Sequence, residues 1–107
     1  MGIQISIWER RDNGSREIIG STALELCRIM RKNKGINSAR FYWSGSEEIV
    51  FIAEGEDSAL DSLPKVLDWG SDYAKLAFTL ADLARLTLNK RLMTPQTGAQ
   101  NYQLADR

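Results

Sequence analysis

Hydrophobic and polar residues alternate strictly at the start of this chain. Ile3, Ile5 and Ile7 fall on one side of an extended backbone, with Gln4, Ser6 and Trp8 on the other, which is the period of a pleated strand. Glu9 to Gly14 is a charged stretch closing on Asn13-Gly14, a strong turn signal. The period then changes. Ala23, Leu26, Cys27 and Met30 recur at helical spacing and make one apolar stripe. The start of this helix is open between three readings. Thr22 and Glu25 can form a capping box that starts it near Ser21. A start near Ser15 carries Gly20 inside the helix, at ~1 kcal/mol relative to alanine. The third reading makes Arg16 to Ile19 a short strand paired back across the turn. The end is plainer: Arg28, Arg31, Lys32 and Lys34 complement the helix dipole, and Gly35 suits a left-handed cap.

Two strand-like runs follow, Ile36 to Trp43 and Glu47 to Glu54, joined by Ser44-Gly45-Ser46. Small turn residues between aromatic and β-branched runs predict a hairpin. In the first run Ala39, Phe41 and Trp43 share one face, and Ser38, Arg40 and Tyr42 the other. In the second, Ile49, Phe51 and Ala53 oppose Val50 and Ile52, so both faces are apolar and both need cover. Trp8 and Tyr42, on nominally outward faces, point the same way.

After Gly55 the pattern reads as helical. Leu60, Leu63, Val66 and Leu67 give a short amphipathic segment, and Pro64 places its start near Asp61 or Ser62. Trp69-Gly70 breaks it. Ser71 or Asp72 then caps a longer helix expected to run to about Met93, with Leu76, Ala77, Leu80, Leu83 and Ala84 as its main apolar face and Leu86, Leu88 and Leu92 widening it. Residues 1–93 are expected to form a single α+β domain. Thr94 to Arg107 is polar and reads as a tail, in which Asn101 to Ala105 can supply an edge strand or reach a partner chain. No internal repeat is visible.

Composition narrows the function classes. The 107 residues carry 14 basic and 14 acidic side chains, and a chain without basic excess is a poor match for nucleic acid, whose phosphates supply most of the binding energy. An aromatic sheet face suggests an RRM-like RNA binder, but the RNP1 pattern is missing around Ser38 to Trp43. The single cysteine points to a reduced, cytoplasmic setting. The longest apolar run, Ile49 to Ala53, is too short to span a bilayer, so no membrane association is expected. Met1 to Ser6 matches the myristoylation pattern, yet the Ile3, Ile5, Ile7 alternation would hold Gly2 in the fold.

The chemistry is defined largely by what is missing. With no histidine, Ser-His-Asp and Cys-His catalysis are excluded, together with the commonest transition-metal ligand. One cysteine cannot build a Cys-rich zinc site, and no phosphate-loop pattern occurs. Neither a metal nor a cofactor is expected. Cys27 belongs to the helix stripe and reads as a core residue. Glu47-Glu48 and the Glu54, Glu56, Asp57 cluster read as solvated charges at strand ends. The candidate ligand-binding residues are Trp8, Arg40 and Tyr42. They are expected to share the sheet face away from the helices, an aromatic wall with one cation suited to a planar or apolar molecule. The same residues also suit an oligomer interface.

The run Gly35-Ile36-Asn37-Ser38-Ala39-Arg40-Phe41-Tyr42-Trp43, the short turn and Glu48-Ile49-Val50-Phe51-Ile52-Ala53-Glu54, preceded by a strand and a helix, resemble the dimeric α+β barrel superfamily over about residues 2–60. That superfamily includes antibiotic-biosynthesis monooxygenase-like and stress-responsive barrel domains. The resemblance implies a ferredoxin-like antiparallel sheet backed by helices, with two sheets facing each other across a homodimer. It carries over no catalytic residue. The expected fold is therefore α+β and ferredoxin-like, with an extended helical C-terminal region. The expected role is non-catalytic small-ligand binding or assembly through the sheet face, with Trp8, Arg40 and Tyr42 lining the space. The alternative is a cofactor-independent, monooxygenase-like enzyme acting on an aromatic or apolar molecule. Amino-acid binding of the ACT type is a third reading.

Overall fold

The computed structural model describes residues 1–63 and 72–93. Its element order is β1 (Gly2–Arg10), α1 (Arg16–Arg31), β2 (Ile36–Ser44), β3 (Glu48–Gly55), α2 (Asp57–Ser62), α3 (Asp72–Leu83) and β4 (Ala84–Met93). The strands form one four-stranded sheet in the order β2-β3-β1-β4, with every neighbouring pair antiparallel. This is the ferredoxin-like α+β arrangement expected from the sequence, with the helices packed on one face of the sheet.

The helix α1 takes the earliest of its possible starts. The Ser15 hydroxyl accepts a hydrogen bond from the Ile18 amide at 3.3 Å, which satisfies one of the free donors of the first turn. Gly20 is therefore inside the helix, and Arg16 to Ile19 is not a strand. At the other end the Asn33 amide group donates to the Ile29 carbonyl, and Gly35 has a φ of 94°. The helix buries Ile19, Ala23, Leu26, Cys27 and Met30 against Ala39, Ile49, Phe51 and Ala53 of the sheet. Full burial of one such aliphatic side chain contributes about 1.5–3 kcal/mol. Gly2 is buried in β1, paired in register with Gly55 and Met93.

Two expectations for the C-terminal half are corrected. The short helix begins at Asp57, with Glu56 as its N-cap, rather than at Asp61 or Ser62. Acidic residues at that end match the positive pole of the helix dipole. More consequentially, no helix runs on to Met93 and the C-terminal region is not helical throughout: α3 stops at Leu83, and the next residue opens β4. The last carbonyls of α3 are taken up by a distant segment. The Arg11 amide donates to the Leu83 carbonyl at 2.9 Å, and Arg11 Nε donates to the Ala81 carbonyl at 3.2 Å. A Cβ at Gly14 would run into that same Leu83 carbonyl. The sheet's fourth strand is thus residues 84–93. The alternative strand at Asn101 to Ala105, and the tail as a whole, lie outside the described residues.

Candidate functional site

The register divides the sheet into two unlike faces. On the helix side, Trp8 is aligned with Ile49 and Leu86, Ser6 with Phe51 and Asn89, and Gln4 with Ala53 and Arg91. On the other side, Ile3, Ile5 and Ile7 of β1 are flanked by Val50 and Ile52 of β3 and by Leu88 and Leu92 of β4. The polar row of β1 therefore points under the helices, and its isoleucine row points away from them.

The inward polar row lines a cavity of about 310 Å³ between the sheet and the helices. That volume lies at the lower end of the range of small-molecule sites. Leu26 and Met30 of α1, Leu60 of α2, Leu63, and Ala77 and Leu80 of α3 form the apolar roof and sides. Phe51, Ala53, Trp8 and Leu86 supply the apolar part of the floor, into which Gln4, Ser6 and Asn89 place amide and hydroxyl groups. Gln4 Nε2 donates to Asn89 Oδ1 at 2.5 Å, and Arg91 Nε donates to Gln4 Oε1 at 2.8 Å. Arg91 is in turn held by α2, with Nη1 2.9 Å from Asp61 Oδ1 and 4.0 Å from Asp57 Oδ1. The cavity is thus apolar apart from one corner, and that corner is tied to a charged network at its edge.

Of the residues expected to act together, the structure brings only two onto one face. Arg40 and Tyr42 lie on the open face with Ser38, Ile52 and Glu54 around a second pocket, of about 280 Å³. Trp8 is on the opposite face, in the cavity. The proposed aromatic wall of all three residues does not exist, because Trp8 is in phase with Trp43 across Ile49 and not with Tyr42. Trp43 itself carries the Arg16 guanidinium over its ring at 4.4 Å. Gln4, Ser6 and Asn89 were missed as cavity residues. The inward row of β1 was visible as the polar half of the alternation, but polar residues on a strand ordinarily mark its solvent side.

Titratable chemistry is sparse. Among the described residues no group of three or more His, Cys, Asp or Glu side chains is placed to hold a metal ion. Cys27 is 1 % exposed, and burial pushes its thiol up to about 11, with Arg31 opposing that shift in part. It is a core residue and a poor nucleophile at neutral pH. Glu47 is held below the ordinary carboxylate range chiefly by its hydrogen bond from Arg10, at 2.8 Å. That pair lies at the hairpin end of the sheet and not among the residues lining the cavity.

The open face is apolar at its centre and charged at its rim. Tyr42 is 50 %, Leu88 40 % and Leu92 41 % exposed. Around them stand Arg40, Glu54, Lys90, and Arg85 paired with Glu9 at 3.3 Å. An apolar patch of this kind with a polar rim is characteristic of interaction surfaces. No helix among the described residues is long and apolar enough to cross a membrane.

Solved structures of the same fold are numerous. SnoaB from Streptomyces nogalater, a cofactor-independent oxygenase, superposes with a TM-score of 0.71 at 13 % identity, over 90 % of this chain and 94 % of that one. An antibiotic biosynthesis monooxygenase gives 0.64 at 17 % identity, over 86 % and 94 % of the two chains. A putative antibiotic biosynthesis monooxygenase from Deinococcus radiodurans gives 0.58 at 13 % identity, over 85 % and 87 %. The likeness in fold therefore extends over most of the chain. No protein-family model and no curated protein matches the sequence.

Proposed function

We infer that this protein binds a small, largely apolar ring molecule in the cavity between its sheet and its helices, as a homodimer joined through the open sheet face. The observation that carries the reading is the cavity itself: about 310 Å³, walled by aliphatic and aromatic side chains, with polar groups confined to one corner. Few well-placed polar groups in an apolar pocket orient a ligand without charge. Homodimer formation is supported by the isoleucine row of β1, which the helices among the described residues leave uncovered. Charges of both signs on the rim allow the face to meet a second copy of itself.

Trp8 remains a ligand residue, now with Gln4, Ser6 and Asn89, whereas Arg40 and Tyr42 become interface residues. Native mass spectrometry of the purified protein is expected to show twice the chain mass and a retained small molecule. Ala77→Phe, which projects a ring into the cavity from α3, is expected to expel that molecule and leave the dimer intact. Retention of the ligand by Ala77→Phe would remove the cavity as the site.

Catalysis in the same cavity is the second reading, supported by the fold shared with a cofactor-independent oxygenase and by a space large enough for a ring. Binding without chemistry is better supported. Among the described residues, the cavity lining includes no carboxylate, lysine or cysteine, so no group there is poised to take a proton near neutral pH. Uptake of dioxygen by the protein on addition of its own retained molecule would reverse that ranking.

A further inference from the structure

The network at the edge of the cavity fixes which kind of polar group the cavity offers. A guanidinium has donors and no acceptor. The Gln4 atom facing Arg91 Nε, 2.8 Å away, must therefore be the carbonyl oxygen. The other end of the same amide is then its NH2 group, and it faces Asn89. An NH2 group requires an acceptor, so Asn89 turns its own oxygen toward Gln4 and has its Nδ2 left over. Among the described residues Asn89 Nδ2 has no partner. Each amide transmits the polarity of the one before it, so the orientation of Asn89 is set by a cation two side chains away. That cation is itself fixed, by Asp61 at 2.9 Å and by Asp57 beside it.

We propose that Arg91 is a positioning residue that makes the polar corner of the cavity a hydrogen-bond donor, so that the molecule bound there carries an acceptor oxygen, a carbonyl or an oxyanion, on an otherwise apolar ring. Ser6, aligned with Asn89 across β1 and β4, adds a hydroxyl that rotates to donate to the same oxygen. A ligand presenting only an N–H to Asn89 Nδ2 would set donor against donor; the Asn89 amide cannot turn over to receive it without breaking its hydrogen bond from Gln4, and Gln4 cannot turn with it without breaking the one from Arg91. The proposal rests on the cavity being the ligand site, and it adds to that reading the chemical class of the ligand and a residue that selects it.

The test uses two probes of one shape on the full chain. Tetralin is a fused apolar ring pair, and 1-tetralone is the same skeleton with one carbonyl. Binding to the wild type is followed through the Trp8 indole N–H resonance, which locates it to the cavity, and the Asn89 side-chain amide resonances report contact with the carbonyl. Arg91→Met is expected to weaken 1-tetralone about five- to tenfold, the scale of one net neutral hydrogen bond, and to leave tetralin within about twofold. Arg91→Lys, which still donates to Gln4, is expected to recover part of the difference. Asn89→Leu, at the exposed mouth of the cavity, asks the same question where the fold is least at risk. Equal weakening of both probes in Arg91→Met and Asn89→Leu would mean a merely structural role and would overturn the proposal. So would unchanged 1-tetralone binding in both. Tetralin that binds while 1-tetralone leaves the Asn89 amide unmoved sinks the donor corner but keeps the cavity site. Failure of both probes to bind the wild type sinks the two together.

Discussion

The two faces of this sheet invert the usual relation between hydrophobicity and burial within one chain. On β1, the face turned toward the protein's own helices carries Gln4, Ser6 and Trp8, and the face turned away from them carries Ile3, Ile5 and Ile7. A strand at the surface of a solitary domain would be arranged the other way round. Alternation therefore reports which side of a strand is apolar, not which side is inside. Here the helix layer does not close on β1 as it does on β3, where Ile49 is 1 % exposed and Phe51 and Ala53 are buried. The space left over β1 is the cavity, and amide groups are tolerable there because they bond to one another. The isoleucines on the far side need a cover that no element among the described residues provides.

The largest expected effect breaks the open face. Ile5 sits at its centre, between Ile52 and Lys90. Ile5→Lys would put an unpaired ammonium into a two-fold interface, and symmetry places it there twice. The dimer is expected to weaken at least about a thousandfold, with the circular dichroism of the monomer unchanged. Sedimentation over a range of concentrations reads this directly. A wild-type protein that is monomeric at micromolar concentration would remove the interface altogether.

The next prediction sets the two faces against each other. Ile49→Ala, under α1, is expected to cost about 3 kcal/mol through the cavity it leaves, by an amount that does not change with protein concentration. Ile5→Ala, on the open face, is expected to lower Tm to a degree that depends on concentration, because what it loses is association. Thermal melts at two concentrations separate them. Two losses equally insensitive to concentration would mean that the isoleucine row is ordinary surface.

How much of this was legible in the sequence follows from where each signal lies. The first strand, the stripe of α1 and the hairpin across Gly45 are local patterns, and they appear where the periodicity put them. The strand β4 was hidden for two reasons. Its residues, Ala84, Arg85, Leu86 and Lys90 among them, are good helix formers, and the signal that stops α3 is Arg11, far away in the chain. A helix ended by a tertiary contact needs no glycine or proline of its own. The alternation of β4 is also broken by an irregularity opposite Ile7 and Trp8, so that Leu86 lines the cavity while Leu88 is aligned with Ile7 on the open face. The candidate site was half legible. Trp8 stands out as an aromatic residue in the sequence and lines the cavity, but its neighbours there depend on register across strands, and polar residues in β1 look like solvent-facing ones until the helices are placed.

The helix side also has a pH signature. The Cys27 thiol has an ordinary value of 9.0 and is pushed up to about 11 by burial between α1 and the sheet. Above pH 9 the unfolded chain therefore loses this proton before the folded one does. The contribution is complete below pH 9 and is lost as the pH rises toward about 11. Chemical denaturation between pH 8 and 11 is expected to show a fall in stability that Cys27→Ala flattens, smaller than the loss in Ile49→Ala. Iodoacetamide is expected to leave the native thiol unmodified at pH 8 and to label it once the chain unfolds. Rapid labelling of the native protein would contradict a sealed helix layer.

The smallest effect falls on a residue that looked functional in the sequence. Arg40 is exposed and lies on the open face between Ser38 and Tyr42, across from Ile52. If the two faces have separate tasks, Arg40→Ala weakens the dimer by less than about tenfold, as a rim charge does, and increases the sensitivity of association to salt only slightly. It leaves binding in the cavity unchanged, because the sheet itself stands between its side chain and the ligand. The informative measurement is ligand affinity at a concentration where the wild type and the variant are both dimeric. A loss of affinity there, with the oligomer intact, would mean that the open face takes part in ligand recognition and that the division of labour between the two faces is wrong.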